Sequence, residues 1–296
     1  MTTGQVRAIV PFDRPGAAPL KVHLVHPRRV GSKTQLAIVM HGVLRDAGEY
    51  LEEWVDWAAQ ADYVVACPCF DAGGWPGGRS YSLGNVFARG GGRGPRRPQP
   101  AWAFTAVEAL ADHLGEALGL QDRRFDLWGH SAGAQFVHRF PLFRAAAPVR
   151  RLIAAGAGWY TLPDLDREFP YGLDHPLLGI GGGEAREWTA RPLTLMRGTL
   201  DVVRDPHLRR TPEAEAQGVT RYERAGRMLA AARELDPRTR WRLVDVEGAA
   251  HDHLEMALGA QQRWDELLAE PVPGGCLPPA AVTRPRGAVA AASPRP

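Results

Sequence analysis

Residues 125–133 read Phe-Asp-Leu-Trp-Gly-His-Ser-Ala-Gly. Four residues suited to a buried strand, Phe125–Trp128, lead into a G-x-S-x-G pattern, and Ala132–Phe143 then has the composition of a helix. A strand that becomes a helix within a few residues needs a sharp turn. A Cβ at Gly129 or Gly133 would crowd that turn, whose effect is to lift the Ser131 hydroxyl clear of the backbone. The helix beginning after Ser131 aims its free N–H groups and positive end at the same point, where developing negative charge is favoured. This segment commits the chain to an α/β arrangement with a candidate nucleophile at a strand-to-helix turn.

The remaining pattern agrees. Leu36–Met40 and Tyr63–Cys67 are continuous apolar runs, as expected of strands covered on both faces. Further strands are expected at Val6–Val10, Lys21–Val25, Leu152–Ala157, Leu193–Met196 and Trp241–Val246. Helices are expected over Ala47–Ala61, where Leu51, Trp54, Val55 and Ala58 share a face, and over Ala101–Leu118, Arg221–Leu235 and Leu254–Leu268. Alternating strands and helices imply a mostly parallel central sheet flanked by helices. The expected division is a catalytic unit over 1–270, with loop insertions near 71–100 and 159–190. A Pro/Ala-rich tail over 271–296 holds seven Pro, six Ala and no acid, and is expected to be disordered.

A serine hydroxyl needs a base. His251, in the loop after the last of these strands, satisfies the order Ser, acid, His and is preferred to His253 two residues on. Asp201, which follows Leu193–Met196, is placed to orient the imidazole, with Asp205 second. An oxyanion hole needs two backbone donors. Ala132 supplies one, directly after the nucleophile. Val43 supplies the other, after the turn at His41-Gly42, or Leu44 if that turn is displaced by one. His251-Asp252-His253 has no third ligand at a convincing spacing, so no metal is expected. Trp75, Tyr81, Trp159 and Tyr160 fall in loops at the carboxyl ends of strands, where open α/β sheets bind ligands. They are candidate substrate contacts, weighed against simple core packing. Arg79 and Asn85 carry no assigned role.

These residues resemble the α/β-hydrolase superfamily and, within it, the poly(3-hydroxybutyrate) depolymerase and feruloyl-esterase-like carboxylesterases. The resemblance spans roughly Ala37 to Ala260. It rests on His41-Gly42 with Arg45 and Tyr50 following, on Gly129–Gly133, on Asp201 and on His251. It implies the α/β-hydrolase fold, Ser131 as nucleophile, Asp201 as acid, His251 as base, and no metal or organic cofactor. The expected activity is that of a serine hydrolase cleaving carboxylic esters, of hydroxyalkanoate or aryl type, through an acyl-enzyme. The same triad would serve an amidase, a peptidase or an acyl transferase. A non-catalytic binding protein on a hydrolase scaffold is the competing class.

Charge argues against other classes. The chain has 36 basic and 33 acidic residues, a net charge of +3, and all its basic residues except Lys21 and Lys33 are arginine. A nucleic-acid binder would carry a larger, clustered excess. The segment 71–100 contains nine Gly, five Arg and one acid. Its part Ala88–Pro100, with Arg89, Arg93, Arg96 and Arg97, lacks interleaved aromatics for stacking bases and reads as a solvated mobile loop. No run of 18 apolar residues occurs, so no membrane span is expected. Met1–Val10 shows no apolar stretch behind a basic start, so the expected setting is cytoplasmic. Cys67, Cys69 and Cys276 are too few for a disulfide framework, and Cys67 and Cys69 read as free thiols. The expected partner is a small-molecule or oligomeric ester, with neither nucleic acid nor membrane.

Overall fold

The computed structural model describes residues 4–267 together with Ala280 and Ala281. Nine strands form one sheet: β1 (Gln5–Phe12), β2 (Leu20–Pro27), β3 (Gln35–Met40), β4 (Tyr63–Cys69), β5 (Phe125–His130), β6 (Val149–Ala155), β7 (Leu193–Gly198), β8 (Trp241–Glu247) and β9 (Ala280–Ala281). Their order is β1-β2-β4-β3-β5-β6-β7-β8-β9. The β1–β2 and β2–β4 pairs are antiparallel, and every pair from β4–β3 onward is parallel. The helices are α1 (Ala47–Ala61), α2 (Gly77–Ser80), α3 (Ala103–Ala117), α4 (Ala132–Phe143), α5 (Gly182–Ala190), α6 (Pro212–Glu215), α7 (Arg221–Leu235) and α8 (His253–Gln262). This is the mostly parallel, helix-flanked sheet expected from the sequence.

Strand β3 shows why its sequence is apolar throughout. Leu36, Ile38 and Met40 face one layer, with Phe104 and Leu110 of α3, Phe136 and Phe140 of α4, and Met228 of α7. Ala37 and Val39 face the other, with Trp54 and Val55 of α1 and Met256 and Ala260 of α8. Each side chain enters a core, so no polar position is left to break the run. On the second face, Trp54, Trp57, Trp128 and Trp264 meet edge to face at 4.8–5.3 Å between ring centroids, an arrangement aromatic quadrupoles favour.

Three expectations are corrected. The insertion after Trp159 contains α5, a helix that turns Ala185, Trp188 and Thr189 inward. Its glycine-led start and three inward positions left no readable period. The last helix ends at Gln262 rather than Leu268. The segment 88–100 is packed rather than loose: Phe87 and Arg96 form an isolated bridge, and Gly92 is buried. The tail expected over 271–296 lies outside the described residues, except that Ala280 and Ala281 pair with Val246 and Glu247 of β8. Among the described residues no helix is long and apolar enough to cross a membrane, and Cys67 and Cys69 are free thiols.

At the amino ends of β5 and β6, far from the Ser131 turn, Asp126 is fully buried. It accepts hydrogen bonds from Arg150 at 2.9 and 2.7 Å, from Arg151 at 2.6 Å and from Tyr63 at 3.1 Å. Removing a buried ion's partner costs more than the pair itself contributes. Asp126→Ala is therefore expected to lower the unfolding free energy by about 3–5 kcal/mol in urea titrations, with turnover per folded molecule retained. A loss below about 1 kcal/mol, the worth of an exposed pair, would show that this cluster does not anchor the sheet.

Candidate active site

The carboxyl edge of the parallel strands gathers the residues singled out in the sequence. Ser131 follows β5, Asp201 follows β7, His251 follows β8 and Val43 follows β3. Ser131 has φ 56° and ψ −110°, a region costly for any residue with a Cβ. Two close approaches hold it there. A Cβ on Gly133 would sit 2.1 Å from the Met40 carbonyl oxygen, and one on Gly129 would sit 2.6 Å from the Gly133 backbone. Only glycine lets α4 begin directly against β3. The Ser131 N–H also donates to Ala155 O of β6 at 2.9 Å, tying the turn to a third strand.

The loops after β7 and β8 are locked together. Leu200 N–H donates to Ala249 O at 2.8 Å, and Gly248 N–H donates to Thr199 Oγ1 at 2.9 Å. A side chain on Gly198 would strike Ala249 O at 2.3 Å. Asp252 caps α8 by accepting from Glu255 N–H at 2.9 Å. His251 is thereby held between the two other groups, with Nδ1 2.9 Å from Asp201 Oδ2 and Nε2 3.1 Å from Ser131 Oγ. A carboxylate can only accept, so the ring proton belongs on Nδ1 and Nε2 is free to accept from the serine.

The runners-up have other partners. His253 stacks on Tyr50 at 4.5 Å and 10° and pairs through Nδ1 with Glu53. Burial disfavours its charged form, but Glu53 more than offsets this and raises its pKa. Asp46 and Glu49 also come within 4.8 Å of His253, a grouping their sequence spacing does not suggest. His253 Nδ1 is the atom that pairs with Glu53. Asp205 receives Arg221, whose guanidinium also lies 3.4 Å from Asp201 Oδ1. Burial opposes ionisation of Asp205, yet Arg221 holds its carboxyl at about 2. Arg221, 2% exposed, clamps both acids from the first turn of α7. No local motif marked it, because its position depends on how α7 packs.

Ser131, Ala132 and Val43 line one cavity of about 760 Å³. The Ala132 N–H stands at the first helical position, where no partner exists within the helix. The Val43 N–H makes no hydrogen bond among the described residues. Of the four aromatic candidates, Tyr81 and Trp159 line this cavity. Trp75 and Tyr160 do not, which corrects that expectation. Trp75 packs edge-on to Phe70 at 4.9 Å, and Tyr160 packs against His138 at 5.0 Å. Arg79 lines the cavity and donates to Asn85 Oδ1 at 2.7 Å, while Asn85 donates to Ala101 O at 2.7 Å, so Asn85 fixes its own loop.

Three buried histidines frame the site. His41 Nε2 accepts from Phe70 N–H at 3.0 Å, and its Nδ1 lies 2.9 Å from Gly42 O. His138 Nε2 accepts from Thr161 N–H at 3.1 Å, and its Nδ1 lies 3.0 Å from Ala134 O. Each pattern suits only a neutral imidazole. His130 meets the Tyr50 hydroxyl at 3.0 Å and lies 4.5 Å from the His251 ring. Burial pushes His41 down to about 4 and His130 and His138 well below their ordinary value. Below pH 6.5 the unfolded chain takes up protons that these native histidines refuse. Stability therefore falls as pH drops, by up to about 1.4 kcal/mol per pH unit for each group. Urea unfolding at pH 7.5 and pH 5 should show this decline, with the window for His41 running from 6.5 to about 4; equal stability at both values would contradict the neutral assignment.

The sheet order and its flanking helices are those of an α/β-hydrolase, and comparison with solved structures agrees in the fold. No protein-family model matches the chain, and no curated protein matches it either. Poly(aspartic acid) hydrolase-1 from Sphingomonas sp. KT-1 is 34% identical, with a TM-score of 0.81 over 86% of this chain and 97% of that one. LpqC, a poly(3-hydroxybutyrate) depolymerase from Bordetella parapertussis, is 29% identical, with a TM-score of 0.81 over 89% of this chain and 95% of that one. An S-formylglutathione hydrolase from Agrobacterium tumefaciens shares the fold at 12% identity, with a TM-score of 0.60 over 92% of this chain and 98% of that one. The chain belongs to the α/β-hydrolase superfamily and is a hydrolase that resembles the poly(3-hydroxybutyrate) depolymerases.

Proposed function

We propose that the protein is a serine hydrolase that cleaves carboxylic esters through an acyl-enzyme, with Ser131, His251 and Asp201 as its triad. The observation that carries this reading is the hydrogen-bonded line from Asp201 through His251 to a serine held in a strained turn. Ser131 Oγ attacks the acyl carbonyl while His251 Nε2 takes its proton. Asp201 holds the imidazole in the required tautomer and stabilises the imidazolium. The N–H groups of Val43 and Ala132 receive the oxyanion. His251 then protonates the leaving alkoxide, and water repeats the sequence on the acylated serine.

An amide leaving group is the second reading. It is supported by the 34% identity to a hydrolase named for poly(aspartic acid), whose backbone is a polyamide. Matched ester and amide substrates with one acyl group separate the two through kcat/KM.

Ser131→Ala is expected to lower kcat for p-nitrophenyl esters by about 10⁴-fold or more with the fold intact. Asp201→Asn is expected to lower it by about 10⁴-fold through loss of the correct tautomer. Near-normal ester turnover by the serine variant would reject the triad. An intact protein inert toward esters and amides alike would favour the binding-protein class.

A further inference from the structure

Tyr50 is a buried residue of α1 that the acyl-enzyme reading leaves without a role. Its hydroxyl lies 3.0 Å from Nδ1 of His130, the residue before Ser131. The Gly42 N–H donates to the same oxygen. A Cβ on Gly42 would sit 2.8 Å from that oxygen, so the close approach requires glycine there. Burial pushes Tyr50 well above its ordinary value, and the phenol keeps its proton. A phenol has one proton to give. Because the Gly42 N–H takes a lone pair, that proton goes to His130 Nδ1, and the neutral His130 ring carries its own hydrogen on Nε2. The Tyr50 ring also stacks on His253 at 4.5 Å. One side chain thus touches the turn that carries Val43, the strand end that carries Ser131 and the helix start beside His251.

The turn after β3 contains two peptide units whose directions matter. In the His41–Gly42 unit, the His41 carbonyl accepts from the Tyr81 hydroxyl at 2.8 Å, and the Gly42 N–H is met by Tyr50. In the Gly42–Val43 unit, the Gly42 carbonyl accepts from His41 Nδ1 at 2.9 Å and from Arg45 N–H at 3.4 Å. The His41 proton belongs on Nδ1 because its Nε2 accepts from Phe70 N–H. The remaining group of the two units is the Val43 N–H, which makes no hydrogen bond among the described residues. A peptide unit is planar, with its N–H and C=O pointing opposite ways. Pinning three of the four groups therefore aims the fourth, and Val43 lines the cavity with Ser131. Without the Tyr50 hydroxyl, the Gly42 N–H and the buried His130 Nδ1 lose the partner they share, and the turn is no longer tied to β5.

We infer that Tyr50 is a positioning residue that ties the oxyanion turn to the strand bearing the nucleophile, so that the Val43 N–H meets the charge developing beside Ser131. Its effect on rate rests on the acyl-enzyme reading; the anchoring of the turn is independent of turnover. The effect falls on the transition state, where the oxyanion forms, and leaves ground-state binding almost unchanged. Removing an oxyanion donor outright costs about 10²–10³ in kcat, and misdirecting one costs about tenfold or more.

The test compares wild type with Tyr50→Phe, which keeps the ring and its stack on His253 and removes only the hydroxyl. With p-nitrophenyl butyrate, kcat is expected to fall about tenfold or more while KM changes less than about threefold. A trifluoromethyl ketone, which adds to a serine as a tetrahedral oxyanion, is expected to bind the variant about tenfold more weakly, and the matching methyl ketone equally well. The same substitution in a Val43→Pro protein, which lacks the donor, should cost less than about threefold in kcat. Val43 is half exposed and its N–H makes no internal bond, so that background should fold, as its thermal midpoint will verify. Amide hydrogen exchange at Gly42, followed by NMR, should quicken about tenfold or more in Tyr50→Phe. Unchanged kcat in the folded variant would overturn the inference, as would equal weakening of both ketones or an equal kcat loss in the Val43→Pro background. A wild type inert toward esters and amides, beside faster Gly42 exchange in the variant, would support the anchor and sink the triad. An active wild type whose Tyr50→Phe variant keeps both kcat and Gly42 exchange would do the reverse.

Discussion

The Met40 carbonyl leaves no room for a side chain on Gly133, and much of the site follows from that contact. Because α4 starts flush against β3, the chain between β5 and α4 has no slack. Ser131 must then take a left-handed, strained conformation that costs on the order of 1–3 kcal/mol. Packing of the two helix layers against β3 and β5 more than supplies that energy. The result is a hydroxyl raised above the sheet edge, beside a helix N-terminus and the turn that carries Val43.

The same logic of close backbone contact extends to Asp201 and His251, the other two residues of the proposed triad. The loop after β7 and the loop after β8 exchange hydrogen bonds, and Gly198 lets Ala249 press against it. His251 is therefore placed by backbone rather than by its own side-chain packing. Arg221 adds a charge that holds Asp201 and Asp205 in one array. Around this frame the neutral histidines 41, 130 and 138 fill buried positions as hydrogen-bonding spacers, which protonation would disrupt.

What was legible in the sequence was what local sterics and two-sided burial dictate. Leu36–Met40 reads as a strand because each residue enters a core, and Gly129–Gly133 reads as a turn because few other residues fit it. Asp201 and His251 could be proposed because each follows a strand whose place in the order is set by the fold, and the structure brings them to hydrogen-bond distance of one another. What was not legible depends on distant packing. Tyr81 and Trp159 cannot be told from Trp75 and Tyr160 without knowing which way each loop faces. Helix α5 has too few inward positions to show a period. Arg93 looked like part of a mobile loop, since the residues that pin that loop, Phe169 and His175, lie more than seventy positions away.

The central claim is that Ser131 carries the acyl group. Mass analysis of the wild-type protein, quenched during turnover of a slowly deacylating p-nitrophenyl ester and then digested, tests it most directly. The account predicts one added acyl group on the peptide containing Ser131, absent when turnover is complete. An acyl group located on a different residue, or turnover with no covalent species under conditions where a burst of nitrophenol is released, would contradict it.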